Sequence, residues 1–242
     1  KMIRFLRKSL NYGLSLLNQN QVVQNKQRKH NVHRQNATLR RTAVAQARVF
    51  TERELKRVLS YIQSQPHATR NRCMVLMTHW AGMRVGEVAA LRLGDVIGTD
   101  GQIKDAITLS ASQTKGDKPR TVLVSKRLQA ELAAYLTYRF SLTNFMAVLH
   151  TDTNRALFPT QKNPKRGFTA NTLCQLFHKF YAGAGLTGAS SHSGRRTFIT
   201  KLADKGVGVR VIMALSGHRQ LSTVQRYIDV NPLAMKAAVE LV

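Results

Sequence analysis

The sequence predicts a mainly α fold with one small antiparallel β-sheet. After residue 50, apolar residues recur at helical spacing over most of the chain. Two short stretches, AITLS (106–110) and RTVLV (120–124), instead have the composition of strands, and the polar loop between them contains Gly116 and Pro119. We therefore expect these strands to pair as a β-hairpin within a helical domain.

The first predicted helices are marked by their ends. Thr51 and Glu54 have the spacing of a capping box, which predicts that a helix starts here. Residues 71–82 are apolar almost all round, as in a core helix, and Gly82 is a natural stop. Residues 84–93 are predicted to form one further helix.

The second half of the chain carries similar signals. Ser125 and Thr169 can each cap a helix with an apolar face. From residue 192 onward the sequence is helical, and Asn231–Pro232 opens a last helix, with proline at its first helical position. Because residues 231–242 are rich in apolar side chains, we expect this last helix to pack against protein.

The chain is strongly basic, with 38 Lys and Arg against 12 Asp and Glu and a formal net charge of +26. This excess predicts a polyanionic partner, with nucleic acid as the first candidate and an anionic membrane surface as the second. Residues 1–48 are basic, without a carboxylate, and largely polar. They are expected to form either a solvated tail or an arm along DNA phosphates, with Arg40 and Arg41 among the contacts. Residues 2–17 have the spacing of a short amphipathic helix, and an organelle transit peptide is a third interpretation.

The sequence favours neither a metal site nor a membrane-spanning segment. Cys73 and Cys174 lack the spacing of metal ligands and are expected to be reduced, buried thiols in a cytoplasmic protein. The scattered carboxylates argue against a two-metal nuclease, so no metal is expected. No apolar run approaches the roughly 20 residues that span a bilayer. Arg4, Arg7 and Lys8 interrupt the first apolar residues, which argues against a secretory signal.

Two stretches place cations at positions where an anionic partner is expected. In AGMRVGEVAALR (81–92), Arg84 lies at a helix start, where the macrodipole disfavours a cation. Its partner is either Glu87, in a surface salt bridge, or an anionic ligand. In TKGDKPR (114–120), Lys115 and Lys118 lie at the hairpin tip, where they serve either solubility or contact with a ligand.

Two further stretches add proton-transfer groups and a nucleophile. SHSGRRTFIT (191–200) places His192 and Arg195 on one helix face. In SGHRQLSTVQRYI (216–228), His218 follows a glycine, and Tyr227 is either a packed ring or a chemical group. One phosphodiester explains the whole set, because arginines bind its oxygens, histidines and a lysine move protons, and a tyrosine hydroxyl attacks phosphorus.

The order and spacing of these motifs resemble the catalytic domain of the tyrosine recombinase family, the phage-integrase-like enzymes, over residues 49–242. The resemblance implies site-specific cutting and rejoining of double-stranded DNA through a 3′-phosphotyrosyl intermediate, without a cofactor. It implies that a cluster of six catalytic side chains, with one supporting carboxylate, acts on the phosphate. The implied roles are phosphate binding by Arg84, Arg195 and His218, support of Arg84 by Glu87, deprotonation of the nucleophile Tyr227 by His192, and protonation of the leaving 5′-oxygen by Lys115.

The chain departs from the family at three places. Arg196 stands where the family often has His or Lys, and with Lys118 it is expected to contact DNA. Ser193 and Gly194 replace a larger apolar residue, so we expect Gly194 to loosen that turn. A basic arm of about 48 residues stands in place of the usual core-binding domain, which resembles the minimal, single-domain members. Either the arm replaces part of the clamp that this domain closes around DNA, or the chain lacks that part.

The resemblance also implies an assembly. A homotetramer on two DNA duplexes is expected, with the C-terminal helix exchanged between protomers. Accessory proteins, the target sequence and the choice among integration, excision, inversion and resolution stay open. A type IB topoisomerase, which relaxes DNA, and a DNA-binding protein without catalysis are the alternative functions.

Overall fold

The computed structural model describes residues 47–114, 116–142, 145–163, 166–225, 227 and 239–240. Several sequence predictions lie outside these residues. They are Lys115, the helix over 2–17, Arg40 and Arg41, and most of the last helix at 231–242.

The described elements form a mainly α fold with one two-stranded antiparallel sheet, which confirms the predicted fold class. In chain order they are α1 (Glu52–Gln63), α2 (Ala68–Trp80), α3 (Val85–Ala90), α4 (Leu93–Val96), β1 (Ala106–Leu109), β2 (Arg120–Leu123), α5 (Lys126–Phe140), α6 (Met146–Thr151), α7 (Ala170–Gly183), α8 (Ser193–Asp204), α9 (Val209–Ser216) and α10 (Leu221–Gln225). A 3-10 turn, Ala111–Gln113, lies between the two strands.

The capping signals are confirmed at two helices. The Thr51 side chain accepts from the backbone N–H of Glu54 at the start of α1, and the Glu54 carboxylate accepts from the backbone N–H of Thr51. Thr169 caps α7 in the same way, with Thr172 as its partner. The short α6 carries no strong sequence signal and was not predicted.

The prediction of one helix over 84–93 is wrong at its C-terminal end. α3 stops at Ala90, Leu91 and Arg92 are extended, and α4 follows. The carbonyl of Leu91 accepts from the backbone N–H of Leu157 at 2.8 Å, and the Arg92 N–H donates to the Asp95 carboxylate at 2.8 Å. A continuous helix would lose both bonds, so tertiary pairing overrides the local pattern.

Helix α2 is the centre of the core. It packs against α1, α3, α5 and α8, and its residues from Cys73 to His79 are buried. A smaller apolar cluster of Ile199, Ile212 and Val224 joins α8, α9 and α10. The core therefore fixes the starts of α3 and α8, which carry two of the predicted arginines.

Two glycines let α8 and the end of α2 approach closely. A Cβ on Gly194 would lie 2.3 Å from Thr78 Oγ1, and one on Gly82 would lie 2.4 Å from the Phe198 ring. Gly82 also has a φ of +62°, which disfavours any other residue. The expectation that Gly194 loosens a turn is wrong, because it lies inside α8 and allows tight helix packing.

The described residues contain no helix long and apolar enough to cross a bilayer. Cys73 is buried, as predicted, and burial raises the pKa of its thiol. Cys174 is only half-buried, so the prediction of two buried thiols is wrong for this residue.

Candidate active site

Arg84 and Glu87 form the first part of the site. Arg84 is the N-cap residue of α3, and its backbone N–H and its Nη1 donate to the Glu87 carboxylate at 2.8 and 2.9 Å. The Arg84 Nη2 is directed at the carbonyl of Gly217, 3.4 Å away. Because the Glu87 side chain is only 1% exposed, the pair is a buried support and not a surface salt bridge.

A second arginine, absent from the sequence-based candidates, binds the same carboxylate. Arg120 donates from Nε to Oε1 of Glu87 at 3.0 Å and from Nη2 to Oε2 at 2.7 Å. Its Nη1 donates to the carbonyl of Leu215 at 3.2 Å. Burial acts to raise the pKa of Glu87, but the hydrogen bonds and charges of Arg120 and Arg84 outweigh it and lower that pKa, so the carboxyl is ionised.

The strand pattern contains the signal that would have found Arg120. Side chains two apart share one face of a strand, and the buried apolar residues are Val122 in β2 and Val124 directly after it. Alternation therefore turns Arg120 inward, where a guanidinium requires an anion. The identity of that anion depends on how β2 packs beside α3. The alternation of side chains along the strand does not predict this packing.

Arg195 is a buried cation held by neutral groups. Its Nη1 donates to the carbonyl of Gly82 at 2.5 Å, and its Nη2 donates to the carbonyl of Ser216 at 2.5 Å. The residue is 5% exposed, and no carboxylate pairs with it among the described residues. Burial, followed by the charges of Arg84 and Arg120, lowers the pKa of the Arg195 guanidinium. A bound anion would offset both the cost of burying the guanidinium and its repulsion by the other arginines.

His218 is fixed as one tautomer by its neighbours. The Arg195 Nη2 lies 3.1 Å from its Nε2, and Ser216 Oγ lies 2.9 Å from its Nδ1. A guanidinium can only donate, so the neutral ring accepts at Nε2 and carries its proton on Nδ1. Ser216 Oγ then accepts that proton and donates its own to the carbonyl of Met213, 3.4 Å away. Burial, followed by the charges of the nearby arginines, lowers the pKa of His218 to about 4.

Tyr227 lies beside this group, just beyond α10. Its ring stacks on His218, with centroids 5.9 Å apart and an angle of 19° between the planes. The guanidinium of Arg196 lies 5.6 Å from the centre of the same ring. The ring is half-buried against the cluster of Ile199, Ile212 and Val224, so it is both packed and partly open to solvent.

The remaining predicted residues have less defined positions. His192 is the exposed N-cap residue of α8, three residues before Arg195. Lys118 is exposed, and its carbonyl accepts from Thr114 Oγ1 at 2.6 Å, which closes the hairpin loop. Lys115 lies outside the described residues.

Four of the predicted residues and their support therefore converge. Arg84, Arg195, His218 and Tyr227, with Glu87, meet around the turn at 216–218. We call Arg84, Arg120 and Arg195 the arginine cluster. Among the described residues no group of three His, Cys, Asp or Glu side chains could hold a metal ion. The arrangement is suited to an anion with several oxygens, which guanidinium groups bind in a planar, forked geometry.

Comparison with known proteins identifies the family of the chain. The family model described as the phage integrase family matches residues 48–233. The chain belongs to the phage integrase family. This confirms the resemblance that the motifs indicate.

One relative by sequence and two solved structures are similar to most of the chain. Tyrosine recombinase XerA of Pyrococcus furiosus is 29% identical over 192 residues, which are 79% of this chain and 60% of the relative. A crystal structure of XerA recombinase matches with a TM-score of 0.61 at 25% identity, over 80% of this chain and 64% of the other. XerH site-specific recombinase, solved bound to its difH substrate, matches with a TM-score of 0.58 at 23% identity, over 79% and 53% of the two chains. The chain thus spans about three fifths of the length of the curated relative that it matches.

Proposed function

We propose that the chain is a site-specific DNA recombinase that cuts and rejoins double-stranded DNA through a 3′-phosphotyrosyl intermediate. One observation carries the proposal. The buried guanidinium of Arg195, which has no carboxylate partner among the described residues, contacts both the turn that Arg84 also faces and the His218 ring that stacks on Tyr227. Family membership supports this function, and XerH site-specific recombinase, which shares the fold, was solved bound to its difH substrate.

The first chemical step exchanges one phosphoester for another. Tyr227 Oη attacks the scissile phosphorus, the bond to the 5′-oxygen breaks, and a 3′-phosphotyrosyl bond forms. Arg84, Arg195 and His218 stabilise the negative charge that develops on the non-bridging oxygens. The phenol proton leaves with the help of His192, and the 5′-oxygen takes a proton from Lys115.

The second step reverses the first with a different strand. A 5′-hydroxyl from the partner duplex attacks the phosphotyrosyl phosphorus, and the Tyr227 oxygen leaves and recovers a proton. The number and kind of phosphoester bonds do not change, so the reaction requires no ATP.

The organisation of the protein follows from this function. We propose that residues 49–242 form the catalytic domain and that residues 1–48 form a basic arm, with Arg40 and Arg41 on DNA phosphates. Lys118 and Arg196 are further DNA contacts. Four protomers act on two duplexes and exchange the segment 231–242, whose apolar composition supports a packed position. A cytoplasmic, nucleoid-associated enzyme encoded by a bacterium or a mobile element fits this partner.

Trapping of covalent DNA tests the proposal. The wild-type protein is incubated with a pool of nicked duplexes of random sequence, and denaturant-resistant protein–DNA adducts are recovered and sequenced. We expect adducts with a shared sequence, joined to the protein through a 3′-phosphate, because a nick lets the short leaving strand diffuse away with its 5′-hydroxyl. Tyr227→Phe should form none, because the attacking oxygen is gone, whereas Tyr138→Phe, which alters an exposed tyrosine on α5, should behave as wild type.

The outcomes separate the three functions. Recombinant product from two duplexes that carry the recovered sequence supports the recombinase. Adducts with relaxation of plasmids but no recombinant would instead assign a type IB topoisomerase. Salt-sensitive binding without any adduct would leave a DNA-binding protein.

A further inference from the structure

We propose that Arg120 is a positioning residue that holds both Arg84 and the turn at 216–218 in place for DNA cleavage. The inference rests on the proposed function and adds a residue that none of the sequence motifs singled out. Arg120 lies at the start of β2, directly after the hairpin loop that contains Lys115.

The first argument is the way in which Glu87 is shared. Its Oε1 accepts from Arg84 Nη1 and Arg120 Nε, and its Oε2 accepts from the Arg84 backbone N–H and Arg120 Nη2. Arg120 holds both oxygens in one plane, so it fixes the orientation of the carboxylate that holds Arg84. A bidentate bond of this kind imposes geometry as well as energy.

The second argument is charge. With Arg120 present, the buried carboxylate is shared between two guanidiniums, and the Arg84 Nη2 remains directed at the turn. Without Arg120, Arg84 would be the single remaining arginine on the buried carboxylate of Glu87. Arg84 and Glu87 would then pair more closely, and the Arg84 Nη2 would move away from the backbone turn at 216–218. Arg120 thus keeps one donor group of Arg84 available for a phosphate.

The third argument is the contact of Arg120 with the turn itself. Its Nη1 donates to the carbonyl of Leu215, and a Cβ on Gly217 would lie 2.7 Å from its Cδ. Gly217 has a φ of +66° and so meets both a conformational and a steric requirement for glycine. Because Ser216 and Gly217 supply the carbonyls that face Arg195 and Arg84, Arg120 braces the backbone on which both depend.

The test compares Arg120→Gln and Arg120→Lys with a matched control. Arg72 also binds one carboxylate with two bonds, of 2.7 and 2.6 Å to Glu131, but it lies on α2 and takes no part in the site. The measurement is the single-turnover rate of covalent adduct formation at saturating concentrations of the nicked duplex that the trapping experiment recovers. A shift of a catalytic group by about 1 Å can cost about 100-fold in rate. We expect a loss of that order in Arg120→Gln, a smaller loss in Arg120→Lys, which keeps the charge but not the fork, and wild-type rates in Arg72→Gln.

Three readouts separate positioning from a structural role. The half-saturating DNA concentration, the final yield of adduct and the melting temperature should stay at wild-type values in Arg120→Lys while the rate falls. A lower yield or melting temperature with an unchanged rate constant would assign Arg120 to folding and overturn the inference. Arg120→Lys is the decisive variant if Arg120→Gln does not fold.

A double-mutant cycle with Glu87→Gln separates positioning from direct catalysis. If Arg120 acts through Glu87, adding Arg120→Gln to Glu87→Gln should cost much less than it costs in the wild type. Fully multiplicative losses would mean that Arg120 does not act through Glu87, which contradicts the inferred hold on Arg84. Absence of any wild-type adduct would overturn the proposed function together with this inference. Wild-type rates in both Arg120 variants would overturn this inference alone.

Discussion

His218 shows how a single residue can report on the occupancy of the site. Its Nε2 accepts from Arg195, and its Nδ1 donates to Ser216 Oγ. A phosphate bound by the Arg195 Nη2 would release Nε2 from this bond. The same negative charge would favour protonation of Nε2, so His218 could then donate to a non-bridging oxygen.

This arrangement predicts the titration of His218. Nitrogen NMR of the imidazole in the DNA-free protein should show a neutral ring with its proton on Nδ1 at neutral pH, and a pKa of about 4, because burial and nearby arginines oppose the charged form. Binding of the recovered duplex should raise that pKa. His218→Gln identifies the signal by its loss. A DNA-free pKa at or above the ordinary value of about 6.5 would contradict the assigned hydrogen bonds.

The same pKa shift has a consequence for stability. Between about pH 6.5 and 4, the unfolded chain binds a proton at His218 and the folded chain does not. The free energy of unfolding should therefore fall as the pH is lowered through this window. In His218→Gln that part of the decline should be missing when unfolding by urea is followed across the same pH range.

At the scale of the elements, the sequence predicts what depends on local signals. Thr51 and Thr169 mark helix starts because capping is decided by residues within one turn. The hairpin is likewise local, since its two strands are close in sequence and pair Ile107 with Val122. The break at Leu91 could not be predicted, because its cause is a bond to a residue 66 positions away, Leu157.

In the candidate active site, too, some features can be predicted from local sequence and others depend on tertiary contacts. The types and spacing of the proposed catalytic residues are visible in the sequence, because the proposed chemistry requires them. The role of Arg120 depends on how β2 packs beside α3 and α9, and the tautomer of His218 depends on Arg195 from another helix. Such facts follow from tertiary contacts, which periodicity does not encode.

Helix packing leads to a prediction for Gly194. Gly194→Ala should destabilise the protein by about 1–3 kcal/mol, because the new methyl group would overlap Thr78 and push α8 away from α2. Gly86→Ala is the matched control within α3, since its Cβ would meet only Ala170 at 3.6 Å, an ordinary contact. We expect that control to be neutral or stabilising by up to about 1 kcal/mol, in line with helix propensity. Denaturant unfolding measures both, and equal stability of the two variants would contradict the close packing.

At the scale of the whole molecule, charge separates attraction to DNA from chemistry on one phosphate. The chain has a formal net charge of +26, whereas the cleavage site proposed here uses a small group of cations around one turn. Most of the excess charge is therefore available for contacts that position the duplex without reading its sequence. Such contacts release counterions and make affinity depend on salt.

Substitution of Arg40 and Arg41 tests whether cations outside the cleavage site attract DNA without reading its sequence. In the chain of 242 residues, Arg40→Gln with Arg41→Gln should lower the steepness of log K against log salt by about 2, since each lost phosphate contact removes about 0.9. The loss should be the same on the recovered site and on unrelated duplexes, because phosphate contacts carry no sequence information. Fluorescence anisotropy between about 50 and 200 mM salt measures both slopes. Arg72→Gln, which removes a cation already paired with Glu131, should leave the slope unchanged. An unchanged slope in the double variant would remove these two residues from the DNA contact and leave the attraction to the other cations of the chain.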